Sequence, residues 1–205
     1  MKIYILKHED CTQDYTFFSP LTSVGLKNSI NLVDIIKKYN INHIYSSPFI
    51  KTLQTIKPYV EEKQLKIKID YSLSEMMQLD IIPKKSYQVR LPDYIAKLFN
   101  YDEHYKSQIE PEDLSYPEND KNVELRIKKI LKYIISSYSK DKDTDNNILI
   151  VTHEACCLSI IKIIKKFGIL NVPKHDIISY PRGGLSLIFN KNTWSFDAIN
   201  WKIKI

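Results

Sequence analysis

Two apolar runs in this chain each end in a histidine: Ile3-Tyr4-Ile5-Leu6-Lys7-His8, and Ile148-Leu149-Ile150-Val151-Thr152-His153 far downstream. Each run has the length and character of a strand, and each gives way to a turn toward a helix. In an open α/β sheet, ligands bind at the carboxyl ends of parallel strands. Two strands built this way can deliver two imidazoles to one rim, which makes His8 and His153 a candidate catalytic pair.

The rest of the chain supplies the helices such a sheet needs. After a polar loop from Glu9 to Thr22, the spacing of Leu26, Ile30, Val33 and Ile36 predicts a helix, with Asn40 as a stop. A short strand over His43 to Ser46 leads into Ser47-Pro48, which has the form of an N-cap followed by proline at the first helical position. The helix that follows places Phe49, Leu53, Ile56 and Val60 on one face. Lys66 to Asp70 alternate as a third strand, and Val123, Ile127, Ile130, Leu131, Ile134, Ile135 and Tyr138 mark the buried face of a long helix. The strand Ile148 to Thr152 precedes a nearly all-apolar helix from Ala155 to Phe167, stopped by Gly168. Two closing strands are expected near Leu185 to Phe189 and Phe196 to Trp201.

This alternation predicts a three-layer α/β/α sandwich with a mainly parallel central sheet, the closing pair adding antiparallel edge pairing. Residues 1–205 are expected to form a single domain. Between Met76 and Asp120 the pattern changes, with Pro83, Pro92, Pro111 and Pro117, many charges, and only Tyr94 to Phe99 looking helical. The segment 76–120 is expected to be an insertion over the sheet edge, a candidate lid.

Composition narrows the function classes. With 43% hydrophobic and 26% charged residues and 14 Tyr, the chain is globular rather than disordered. Its net charge of +6 favours anionic partners, but the lysines are scattered and form no basic block, so nucleic acid is not an expected partner. Cys11, Cys156 and Cys157 give an odd count, and the vicinal pair is poorly placed to bridge; a reducing, cytoplasmic setting is expected, with Cys156 and Cys157 as small core residues. No segment has the length of a membrane span and no signal peptide is apparent, so no membrane partner is expected. No metal-ligand spacing or dinucleotide fingerprint occurs, and no cofactor is expected.

The motifs around the two histidines resemble those of the histidine phosphatase superfamily, which includes the cofactor-dependent phosphoglycerate mutases. The family's Arg-His-Gly strand end and Pro-Leu-Thr-x-x-Gly helix start correspond to Lys7-His8-Glu9 and Pro20-Leu21-Thr22-Ser23-Val24-Gly25. Its Ser-Ser-Pro-Leu-x-Arg-x-x-Gln-Thr motif corresponds to Ser46-Ser47-Pro48-Phe49-Ile50-Lys51-Thr52-Leu53-Gln54-Thr55. Its Thr-His-Glu strand end is Thr152-His153-Glu154, and a leucine and glutamate after the third strand are similar to Leu73 and Glu75. Each motif alone is unspecific; together, in order, they span almost the whole chain.

The resemblance implies a phosphomonoester hydrolase acting through a phosphohistidine on a phosphorylated small molecule or protein. His8 would be the nucleophile, His153 a donor to the phosphoryl oxygens, and Glu75 the acid that protonates the leaving alkoxide and then activates water, a role that calls for a raised pKa. Glu9, Asp10 and Glu154 are alternative carboxylates for that step. Lys7 and Lys51 would bind phosphate.

The chain also departs from the family pattern. Both pocket arginines are replaced by Lys7 and Lys51, which keeps the charge and loses the planar two-oxygen fork. Glu9 replaces a glycine beside the expected phosphate, where an inward carboxylate would repel substrate and an outward one could pair with a lysine. The family's first-loop asparagine falls near Asp14. The sequence thus leaves open an active phosphatase and a binding module of low or no turnover, with a phosphomutase as a third reading in which Lys84, Lys85 and Arg90 grip a second anionic group.

Overall fold

The structure, a computed structural model, describes residues 1–14, 16–78, 90–138, 145–166, 184–190 and 193–199. Its strands are β1 (Lys2–Lys7), β2 (His43–Ser46), β3 (Ile67–Ile69), β4 (Asn147–Thr152), β5 (Gly184–Asn190) and β6 (Thr193–Ile199). They form one sheet in the order β3-β2-β4-β1-β5-β6. The first four of that order run parallel, and β5 and β6 add antiparallel pairing at one edge.

The strand sequences explain why helices cover both faces. Alternate residues of a strand point to opposite sides. Ile3 and Ile5 of β1 and Ile148 and Ile150 of β4 pack with α4 (Asp120–Tyr138) and α5 (Glu154–Lys166). Tyr4, Leu6, Leu149 and Val151 pack on the other side with α1 (Ser23–Ile36) and α2 (Ile50–Lys63). Strands apolar on both faces are the signature of a parallel sheet buried between two helical layers, and each fully buried isoleucine or leucine contributes about 1.5–3 kcal/mol. The chain is the three-layer α/β/α sandwich that the alternation predicts.

Two local expectations need correction. In α1 the buried face is Gly25, Asn28, Ser29, Leu32, Val33 and Ile36, whereas Leu26 and Ile30 are exposed. The small residues Gly25 and Ser29 let the helix lie close to its neighbours, so its contact face is turned away from Leu26 and Ile30. Ser47 does not cap α2: the helix begins at Ile50 with Phe49 as its cap residue. The Ser47 hydroxyl instead faces His153. The α2 face of Phe49, Leu53, Ile56 and Val60 is buried as expected.

Within 76–120, α3 (Asp93–Ala96) and a 3₁₀ turn over Lys97–Phe99 replace the single helical stretch. Leu91, Ala96, Phe99, Ile109 and Leu114 join the core on the α2 side. Asn100 and Asp102 bond the backbone of Ile67, covering the free edge of β3. The buried Asp70 carboxylate accepts from the Tyr105 hydroxyl at 2.5 Å and the Gln108 amide at 2.9 Å, tying this segment to the strand end that leads to Glu75. Lys84, Lys85, Gly168 and Trp201 lie outside the described residues. Among the described residues no helix is long and apolar enough to cross a membrane.

Candidate active site

The register of β1 on β4 sets Lys7 opposite Thr152, so the residues after them leave adjacent parallel strands at the same level. Those residues are His8 and His153, whose ring centroids lie 5.2 Å apart in an edge-to-face arrangement. Phe49 closes one wall, 4.9 Å from the His153 ring. His8, His153 and Glu75 each bring one donor atom into a group whose members lie within 4.8 Å of one another. Three residues far apart in sequence thus converge at one strand rim.

The loop after β1 orients His8. The His8 Nδ1 is 2.8 Å from the Glu9 carbonyl oxygen, which can only accept, so Nδ1 carries the proton and Nε2 keeps its lone pair. Glu9 is held in turn by its amide, which donates to Thr55 Oγ1 at 3.0 Å, and by Asn28, which donates to its buried carboxylate at 3.0 Å. Glu9 therefore packs against α1 and α2 as a bonded structural carboxylate. At the start of α1, Thr22 caps the Gly25 amide and donates to Asp10 Oδ2 at 2.6 Å. A Cβ at Gly25 would stand 2.0 Å from the Asp10 carbonyl, so glycine is required for this close approach.

His153 is fully buried. Its Nε2 is 2.8 Å from Ser47 Oγ, while its Nδ1 lies 3.1 Å from Glu75 Oε2 without hydrogen-bond alignment and has no bonded partner. A buried nitrogen without a hydrogen-bond partner calls for an explanation, and here it faces the cluster of His8 and Glu75.

The cations are placed differently from each other. Lys51, 3% exposed, donates its ammonium to the Glu75 carboxylate and sits 5.6 Å from the Phe49 ring centroid. Lys7 is bound by Glu154 at 2.6 Å, with that carboxylate largely exposed. The structure therefore brings His8, Glu75, His153 and Lys51 together, and sets Lys7 in an ion pair at the start of α5. Asp10 is bonded to Thr22 at the helix start. Asp14 accepts from Thr12 at 2.6 Å on the surface.

Electrostatics follow from this packing. Burial, then the neighbouring His153 and Lys51, push the His8 pKa down to about 3, so the imidazole is neutral at ordinary pH. Burial also lowers His153, against the opposing pull of Glu75. For Glu75 burial acts upward, but its contacts with His153 and Lys51 outweigh it and hold the carboxyl well below the usual range. Because His153 is itself kept neutral, Lys51 is the decisive charge. The raised pKa expected of Glu75 is thus reversed in the unliganded site, where Glu75 is an ionised partner of Lys51.

Sequence reading missed the residues that hold Glu75. Four successive carbonyls, Ser72 to Glu75, are bonded from behind: Arg126 reaches Ser72 O at 2.7 Å and Glu75 O at 3.3 Å, Thr152 reaches Leu73 O at 2.7 Å, and the Cys156 thiol reaches Ser74 O at 3.1 Å. The buried Arg126 also makes a two-pronged pair with Glu118 at 2.8 and 2.9 Å, and Glu118 accepts from the Met77 amide. The signal was an arginine at the same face of α4 as Val123, Ile127 and Ile130, where a cation stays only if paired.

Solved structures of similar fold include the ecdysone phosphate phosphatase of Bombix mori, 14% identical with a TM-score of 0.69, covering 100% of this chain and 95% of that one. Bacillus stearothermophilus YhfR is 17% identical with a TM-score of 0.67, covering 99% and 98%. The mycobacterial glucosyl-3-phosphoglycerate phosphatase is 14% identical with a TM-score of 0.64, covering 97% and 98%. No curated protein matches the chain. The family model described as "Histidine phosphatase superfamily (branch 1)" matches residues 18–202, and the chain belongs to that superfamily.

Proposed function

We propose that this chain is a phosphomonoesterase that passes the phosphoryl group of a small phosphorylated metabolite or a phosphoprotein through His8. The observation that carries the proposal is the His8 imidazole, whose Nδ1 contact with the Glu9 carbonyl leaves a lone pair on Nε2 beside the orphaned Nδ1 of the buried His153. The nucleophile and its oxyanion partner are then pre-set in one pocket.

In the proposed reaction His8 Nε2 forms a bond to phosphorus as the ester P–O bond breaks. The leaving oxygen takes a proton from Glu75, and the resulting carboxylate later accepts a proton from the water that hydrolyses the phosphohistidine. The depressed pKa of Glu75 does not bar this sequence. A phosphate dianion competes for Lys51 and places negative charge beside the carboxyl, and both effects favour the protonated acid. Lys51 becomes a phosphate ligand as it leaves Glu75, and Lys7 is assigned an outer role, steering the anion from its pair with Glu154. Residues 90–120 of the segment 76–120 are proposed as a wall of the entrance, because Tyr105 and the Gln108 backbone amide bond Asp70 at the strand end that leads to Glu75.

The pairing of both lysines with carboxylates favours a second reading, a pocket that binds phosphorylated ligands without turnover. Hydrolysis of an aryl phosphate from about pH 4 to about pH 8, with a chelator present, separates the two. The expected result is turnover, an acid-labile phosphoenzyme, inhibition by vanadate and loss of all three on His8→Ala. Binding of vanadate with neither turnover nor phosphoenzyme would establish the second reading.

A further inference from the structure

We propose that the pocket is also a binding site for a divalent transition-metal ion, Zn²⁺ in chemical class, and that the ion inhibits by occupying the lone pair of His8. The donor set is two imidazoles and one carboxylate, the chemistry that holds zinc in three-ligand sites with one position open. His8, Glu75 and His153 each bring a donor atom within 4.8 Å of the others. Zinc bonds of about 2.0–2.1 Å in a tetrahedron separate ligand atoms by about 3.4 Å, so the three donors need to close by about 1.4 Å at most. His8, at the end of a strand and only partly buried, can supply that movement.

A second observation points to a ligand independently of the donor count. His153 Nδ1 is buried without a hydrogen-bond partner and lies 3.1 Å from Glu75 Oε2, off the line of a hydrogen bond. Ser47 can accept from Nε2 or donate to it; in the tautomer protonated at Nε2 the Nδ1 lone pair faces Glu75 Oε2 across that gap, and an ion between them selects that tautomer. The Ser47 contact and the His8 Nδ1 contact with the Glu9 carbonyl are the outer-layer bonds that orient imidazoles in metal sites.

Lys51 is the opposing element. Its ammonium lies on the Glu75 carboxylate and repels a second cation. Lys51 and His153 Nδ1 meet the same oxygen, Glu75 Oε2, so an ion bridging that gap displaces the ammonium, which the second carboxylate oxygen can take up. The same lysine is the pocket's cation for phosphate. Removing it therefore moves the two ligands in opposite directions: Lys51→Met tightens zinc binding and weakens vanadate binding.

Zinc binding does not depend on the phosphatase reading, but the inhibition does rest on it. The experiment is calorimetric titration of the full chain with ZnCl₂, with folding of each variant checked by thermal unfolding, and parallel titration with vanadate. One bound ion is expected, excluded by prior vanadate, with His8→Asn and Glu75→Gln each weakening it by at least about 10-fold. Cys11, a half-buried thiol close enough to interact with Lys51 and Glu75, is the competing zinc ligand. Cys11→Ser should leave the isotherm unchanged. An isotherm abolished by Cys11→Ser, indifferent to His8→Asn, or weakened by Lys51→Met overturns the proposal. Absence of turnover with zinc binding intact would instead remove the phosphatase reading and leave the metal site standing.

Discussion

Lys51 donates its ammonium to the Glu75 carboxylate inside the pocket, so the cation expected on phosphate and the acid expected to be neutral neutralise each other in the unliganded protein. On the proposed reading, substrate binding is an exchange reaction: an incoming dianion takes Lys51, and the half-buried Glu75, left beside that negative charge, takes a proton.

Glu75→Gln is expected to lower kcat/KM for an alkyl phosphate by about 10²–10⁴, the range of a lost general acid. An aryl phosphate, whose leaving group needs little protonation, should lose much less. Vanadate affinity should hold or rise, since the substitution frees Lys51. Equal losses on both substrates would mean that Glu75 does not protonate the leaving oxygen.

Acid should destabilise the fold before it protonates His8. The His8 imidazole has a folded pKa of about 3. Unfolded, it titrates near about 6.5. Below about pH 6.5 the unfolded chain therefore binds a proton that the folded chain refuses, and stability falls across the interval by up to about 1.4 kcal/mol per pH unit for each such histidine. His153 and His43 are shifted down in the same direction. The stability that Glu75 contributes is present above its unfolded pKa and is lost only as pH falls toward its own depressed value. Denaturant midpoints of wild type and His8→Asn, measured between about pH 5 and about pH 7.5, should converge toward acid, with the flatter profile in the variant. Parallel profiles would contradict the neutral, buried state of His8.

Arg126→Lys tests the support behind Glu75. A lysine keeps the charge but cannot serve Glu118 and the carbonyls of Ser72 and Glu75 together. The expected result is a fall in kcat of about 10-fold with KM little changed, because a small displacement of a positioned acid acts on the chemical step. A folded variant with unaltered kcat would show that the four-carbonyl cradle is structural only. Arg126→Met, which leaves Glu118 buried and unpaired, should cost about 3–5 kcal/mol of stability.

Restoring arginine separates the two lysines. Lys51→Arg offers phosphate two parallel donors in place of one, which should raise vanadate affinity and kcat/KM on an alkyl phosphate. Lys7→Arg, at a residue already paired with the exposed Glu154, should change both by less than about fivefold, the scale of a surface pair. A larger effect at Lys7 than at Lys51 would mean that Lys7 turns into the pocket when phosphate binds.

What the sequence determined by itself lies in local pattern. Runs apolar on both faces imply strands covered on both sides, and Thr22 and the Phe49-Leu53-Ile56-Val60 stripe carry their structural reasons within a few residues. That His8 and His153 lie on one rim follows from a turn at the end of each strand and the rim rule for parallel sheets, whereas the adjacency of β1 and β4 that brings the two rings together is set by the sheet's strand order. The tertiary structure alone decided which charge meets which. Lys51 and Glu75, Lys7 and Glu154, Arg126 and Glu118, and Ser47 and His153 are pairs set by the approach of different elements. A side chain's period in its own helix or strand says which face it occupies, not what stands opposite. Ser47 satisfied the local rule for an N-cap and was taken instead by a buried imidazole, while the first amide of α2, that of Ile50, donates to the Phe17 carbonyl at 3.2 Å.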